Sequence, residues 1–200
     1  GTMSLVSMTD AATTNYAASF PSFTPWSLMV SNLVPSATNV VTVTLVNGAG
    51  MATNDSIWIY RRPILPVRIF SWTNTLSGSW SDPVNWTNEY DEFWAPVSAG
   101  QSNYVLNFNE AGTYTATHNL NNSFLLNQLN FGGPVVTLAG NSMVLTNNGA
   151  ALPQVNQNSA AAVTISNNLN LGADTTFGGS GTGTVTVTGG IVGNGGVTKA

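Results

Sequence analysis

The sequence predicts an all-β fold: a right-handed β-solenoid (β-helix) of short strands over residues 67–200, preceded by a smaller β-rich segment. Three observations carry that prediction. Apolar residues recur in pairs two positions apart, and helical periodicity is missing almost everywhere. Glycine- and asparagine-rich turn signals separate these pairs. The chain also draws its polarity from Asn, Thr, Ser and Gly, with 6% of its 200 residues charged, against about a quarter in an ordinary globular domain. Such residues suit turns and exposed strand faces and make poor helix interiors.

Residues 1–25 show no pattern and are expected to form an extended arm. Residues 26–66 read as a separate β-rich segment. Val41, Val43 and Leu45 alternate there with Thr42, Thr44 and Val46 before an Asn47-Gly48 turn. Ile57 and Ile59 alternate with Trp58 and Tyr60, and Pro63 and Pro66 end that strand. From residue 68 the style changes, with Trp72, Trp80, Trp86 and Trp94 in one stretch beside half of the acidic residues. Beyond residue 104 come the pairs Leu129/Phe131, Val136/Leu138, Met143/Leu145, Val163/Ile165, Leu169/Leu171 and Val185/Val187. Between them stand turns such as Gly132-Gly133, Asn147-Asn148-Gly149 and Gly178-Gly179. Strands this short make no stable isolated sheet. They suit a solenoid, in which each rung buries its inward side chains by stacking on the next, about 4.8 Å away, with Asn and Thr ladders along the stack. A β-sandwich would need longer, more evenly spaced strands.

Composition excludes several classes. Six Trp, eight Phe and five Tyr with a net charge of −4 argue against disorder. Four basic residues give no footprint for nucleic acid or anionic lipid, and Arg61, Arg62 and Arg68 fit a solvated edge strand. There is no cysteine, so neither disulfides nor thiolate chemistry enter. No apolar run approaches the roughly 20 residues that span a bilayer, so no membrane insertion is expected. The opening Gly1-Thr2-Met3-Ser4-Leu5 has no signal-peptide pattern, as in a mature chain after cleavage or an excised fragment.

Three motifs carry a family resemblance over residues 70–200. Ser79-Trp80-Ser81-Asp82-Pro83-Val84-Asn85-Trp86 resembles the tryptophan-rich opening of the autotransporter-associated β-strand repeat of large bacterial surface proteins. Asn127-Gln128-Leu129-Asn130-Phe131-Gly132-Gly133 resembles the strand that follows, and the glycine-rich run from Gly189 to Lys199 resembles the closing motif. The resemblance implies a β-helical, surface-exposed passenger or spacer without enzymatic activity. It also implies that Asp82 caps the turn before Pro83 through an Asx-type bond. Two departures stand out: Pro96 and Gly100 are followed by Gln101-Ser102-Asn103 rather than an acidic pair, and residues 89–94 look like an insertion. At Ala200 the solenoid is expected to present an open end, covered by a continuing chain or by another subunit.

No catalytic constellation can be assembled from the repeat region. His118 is the single histidine and is expected at a surface or ladder position. From residue 111 onward Asp174 is the one acidic and Lys199 the one basic residue. Asp82, Glu89, Asp91 and Glu92 match no dedicated calcium loop and read as an exposed acidic turn. No catalytic residue, metal or cofactor is expected. The tryptophans are the one feature with binding promise, because indole faces stack on sugar rings. Trp80 and Trp86 read first as a cap over the first rung, while Trp72 and Trp94 are balanced between cap and platform. The expected function is a structural or adhesive extracellular or cell-surface protein, self-assembling into a filament or fibrous layer. The alternative is a glycan-binding module that uses Trp72, Trp80, Trp86 and Trp94 to hold polysaccharide.

Overall fold

The computed structural model describes residues 3–9, 33, 37–47, 49–61 and 64–200. The chain divides into two compact units, Gly1–Ile64 and Leu65–Ala200. In the first, strands β1 (Met3–Thr9), β2 (Ala37–Asn47) and β3 (Ala52–Arg61) form an antiparallel sheet in the order β1-β2-β3. The register between β2 and β3 runs unbroken from Ala37↔Arg61 to Val46↔Ala52. Val41 is buried, as its alternation predicts, whereas Ile57 and Trp58 on β3 are both exposed. Met3–Thr9 falls inside the stretch expected to be an arm, yet it pairs along β2 of its own chain. Residues 10–25 of that arm lie outside the described residues.

The second unit is a parallel β-solenoid. Its first rung holds β4 (Arg68–Trp72) and β5 (Gly78–Ser79), then a 3-10 turn over Pro83–Asn85 and β6 (Trp86–Asn88). The next rungs are β7 (Tyr104–Phe108), β8 (Tyr114–His118) and β9 (Phe124–Leu126), then β10 (Gln128–Phe131), β11 (Val136–Gly140) and β12 (Met143–Leu145). They are followed by β13 (Gln154–Gln157), β14 (Val163–Ile165) and β15 (Leu169–Leu171), then β16 (Thr175–Gly178), β17 (Val185–Val187) and β18 (Ile191–Gly193). The strand β19 (Val197–Lys199) begins another turn. Each full turn visits three sheets, ordered β19-β16-β13-β10-β7-β4-β6, β17-β14-β11-β8-β5 and β18-β15-β12-β9. Asn130 bonds Asn107, 23 residues earlier, Asn156 bonds Asn130, 26 earlier, and Gly190 bonds Asn168, 22 earlier. The turn length varies because the corners, not the strands, absorb the extra residues.

The paired apolar residues explain this stack. In a strand, residues two apart share a face, so each pair sends two side chains inward and one outward. Phe70, Leu106, Leu129, Val155 and Phe177 align across one sheet, and Tyr114, Val136, Val163 and Val185 across the second. Phe124, Met143 and Leu169 fill the third side, and together these residues form one continuous core. Buried asparagines seal the corners: Asn127 donates to the carbonyls of Thr146 and Ala151 at 2.9 and 3.1 Å, and Asn167 to that of Asn141 at 2.8 Å. Gly140 turns the chain at φ +100°, where a Cβ would run into the His118 carbonyl, so this corner requires glycine.

On the outer face of the first sheet an amide ladder ties the rungs. Asn107 Nδ2 donates to Ser71 Oγ at 3.3 Å, Asn130 Nδ2 to Asn107 Oδ1 at 2.9 Å, and Asn156 Nδ2 to Asn130 Oδ1 at 2.9 Å. Asn130→Ala removes the middle link and leaves an acceptor on Asn107 and a donor on Asn156 without their best partners. Urea denaturation is expected to register a loss of about 1–2 kcal/mol; an unchanged midpoint would show that water replaces the ladder at no cost. Among the described residues no helix is long and apolar enough to cross a membrane.

Candidate functional site

The tryptophan-rich first rung divides into a buried cap and an exposed loop. Alternation along β4 turns Phe70 and Trp72 inward, and β6 folds back antiparallel on β4, placing Trp86 opposite Trp72. Asp82 Oδ1 accepts from Val84 N at 3.2 Å and starts the 3-10 turn, with Pro83 inside its first turn. This is the Asx-type cap that the family resemblance implies for Asp82. Trp72, Trp80 and Trp86 are all buried. Trp86 meets both other indoles edge-on, at 5.1 and 5.5 Å between ring centroids. Trp86 Nε1 donates to the Trp80 carbonyl at 3.0 Å and Trp72 Nε1 to that of Asn74 at 2.7 Å. Three of the four rings considered for a sugar platform therefore present no face to a ligand. They seal the end of the core, the cap expected for Trp80 and Trp86.

His118 corrects an expectation. It is not at the surface: its ring is 0% exposed and packs 4.5 Å from Trp80 and 5.1 Å from Phe124. The pattern on β8 explains this, since Tyr114, Ala116 and His118 share the inward face. Neither imidazole nitrogen has a hydrogen-bond partner of normal geometry. Desolvation lowers its pKa from 6.5 to about 4, although backbone groups of Asn121 and Ser142 act weakly the other way. At neutral pH the ring is an uncharged core group. Burial likewise pushes the Tyr114 phenol up.

The expected insertion is a braced turn. Asn88 Oδ1 accepts from the backbone N–H groups of Tyr90 and Glu92 at 2.9 and 3.0 Å, and its Nδ2 donates to Glu92 Oε2 at 2.9 Å. Asp91 sits at φ +59°, a left-handed position that aspartate tolerates better than most residues. An ion pair between Arg68 and Glu89 ties the turn to β4. The braced turn carries Tyr90, Phe93 and Trp94, exposed by 73, 66 and 57%. Sequence reasoning named Trp94 but missed Tyr90 and Phe93 as companions. Their signal is the same insertion, in which they flank Asp91 and Glu92 beside Trp94.

The turn offers aromatic surface beside the carboxylates of Glu89, Asp91 and Glu92. Among the described residues no group of three His, Cys, Asp or Glu side chains could hold a metal ion. A recess at the last rung is lined by Gln157, Phe177, Thr184 and Lys199, and of its side chains Lys199 alone is ionisable. In comparison with known proteins, no family model, no curated protein and no solved structure matches this chain.

Proposed function

We propose that the chain is a non-catalytic structural component of an extracellular surface, similar to the spacers of the autotransporter-associated repeat, and that it associates along its solenoid axis. The observation that carries this reading is the uninterrupted, in-register stack. Its interior is filled with apolar side chains; the outer faces of the first two sheets bear amides and hydroxyls, and that of the third bears Leu125, Val144, Asn170 and Val192, none of them titratable. Such a body holds distance and shape without a site for general acid–base work. Strands β17, β18 and β19 are each last in their sheets, with Ile191, Val192 and Val197 exposed. A further rung in the same register, from a continuing chain or a second copy, pairs with them. Electron microscopy and light scattering of the purified chain over a range of concentrations test the association. Association through the β17–β19 end, as a dimer or a larger assembly, supports it, and a monodisperse monomer throughout sinks it.

A second reading has its own observation. Tyr90, Phe93 and Trp94 stand exposed on a turn that is already rigid, which lowers the entropy lost on stacking against a sugar. If this turn binds glycan, polysaccharide changes the tryptophan emission, and Trp94→Ala abolishes the response while leaving the buried indoles intact. Silence across a broad glycan panel would remove the reading.

A further inference from the structure

The second sheet of the solenoid presents a different outer face from the amide ladder. Thr115, Thr137, Thr164 and Thr186 pair in direct register across β8, β11, β14 and β17. Each lies between two inward side chains, so each points outward; the first three are half-buried and Thr186 is exposed. Two residues further along stands a second rank, Thr117, Ala139, Ser166 and Thr188, in which Thr188 Oγ1 and Ser166 Oγ lie 3.1 Å apart. The result is a two-dimensional grid. Its intervals are about 4.8 Å from rung to rung and about 6.8 Å between ranks, both set by the geometry of extended chain.

Three properties decide what can cover such a face. None of its eight positions carries a charge, so neither an ionic polymer nor a charged protein finds a complement. None carries an aromatic ring, so sugar stacking has no platform here. At these spacings the grid covers about 250 Å², well below the roughly 800 Å² that each partner buries in a stable protein interface. A second copy or another folded protein gains too little from it. What engages every row at once is a solid with its own repeat at both intervals, and water oxygens on the prism faces of hexagonal ice repeat at nearly these two. Threonine suits that contact: its hydroxyl holds a water at a lattice position, its methyl excludes disordered water between rows, and its branched Cβ leaves few rotamers to freeze out. From this match we infer that the face formed by Thr115, Thr137, Thr164 and Thr186 binds ice.

The test uses the whole 200-residue chain at millimolar concentration in a nanolitre osmometer, with crystal shape and the gap between melting and freezing as readouts. The wild type is expected to facet the crystal and open a gap. Thr137→Lys and Thr164→Lys are each expected to lose both effects with an unchanged circular dichroism spectrum. Gln154→Lys, on the face that carries the amide ladder, is expected to keep them. Thr137→Val keeps the shape of the side chain and so leaves the packing undisturbed; it too is expected to shrink the gap. Round, unfaceted crystals in wild-type solution overturn the inference, as does an equal loss in Gln154→Lys. Sedimentation with crystalline cellulose or chitin that depends on Thr137, without any effect on ice, also overturns it and assigns the grid to a polysaccharide lattice.

Discussion

Replacing Trp86 by alanine is expected to lower the unfolding free energy by about 4 kcal/mol, the middle of the range for truncating a buried aromatic. Trp86 is fully buried, meets Trp72, Trp80 and Phe108 at 5.1, 5.5 and 5.7 Å, and ties the cap to the Trp80 carbonyl through Nε1. Alanine removes the indole, leaves a cavity between three rings that cannot collapse together, and strands that carbonyl. The position matters as much as the volume. In a stack whose rungs touch only their neighbours, an end cap protects everything beneath it, and β6 is the last strand of its sheet. Urea denaturation followed by tryptophan fluorescence is expected to show a midpoint lower by about 2 M, for a slope near 2 kcal/mol/M. Trp94→Ala, on the exposed turn, is the internal control and is expected to stay within about 0.5 kcal/mol of wild type. A Trp86→Ala loss below about 1 kcal/mol would mean that the three indoles are not the cap.

The contrast between these two tryptophans shows where the sequence was legible. The pairs Leu129/Phe131 through Val185/Val187 gave their inward positions directly, because period-two alternation survives even in three-residue strands. Asn107, Asn130 and Asn156 were foreseeable as a ladder for the same reason: each lies between two inward residues on consecutive rungs. Trp72 was harder, since its inward direction depends on Phe70 two positions before it and on the antiparallel return of β6, a long-range pairing that no local pattern announces. His118 failed for an instructive reason. It shares the period of Tyr114 and Ala116, and the structure follows that period rather than the polarity of the imidazole. Gln157 and Thr175 are buried on the same terms.

One scaffold thus carries faces with distinct chemistry. The backbone register is shared by all three sheets, so the outward residue of each rung is free to vary without disturbing the core. That freedom gives amides on one face and threonines on another, while the aromatic turn at residues 90–94 interrupts the repeat and hangs outside it. The inward positions have no such freedom, and it is there that a single titratable side chain leaves its mark on the stability of the whole stack.

That side chain is His118, and acid is expected to weaken the fold through it. Its core neighbours are aromatic and aliphatic, with no charged group in the cluster; its two nitrogens have no hydrogen-bond partner of normal geometry, and backbone groups of Asn121 and Ser142 oppose the desolvation only weakly. Protonation there buries an uncompensated cation, which is why the folded pKa is lowered from 6.5 to about 4. As pH falls below about 6.5 the unfolded chain takes up the proton first while the folded chain resists it. Its contribution is therefore fully present above pH 6.5, declines as pH falls towards 4, and levels off below that. The interval corresponds to about 3 kcal/mol, a large fraction of the 5–15 kcal/mol typical of a whole domain. Urea denaturation of the wild type and of His118→Leu, repeated from pH 7.5 to 3.5, isolates this component because every other group is common to both. The difference between the two is expected to change by about 3 kcal/mol across the window, with leucine favoured in acid. A difference that stays flat with pH would mean that His118 takes up its proton as readily in the folded chain as in the unfolded one, and the buried, neutral imidazole would have to be abandoned.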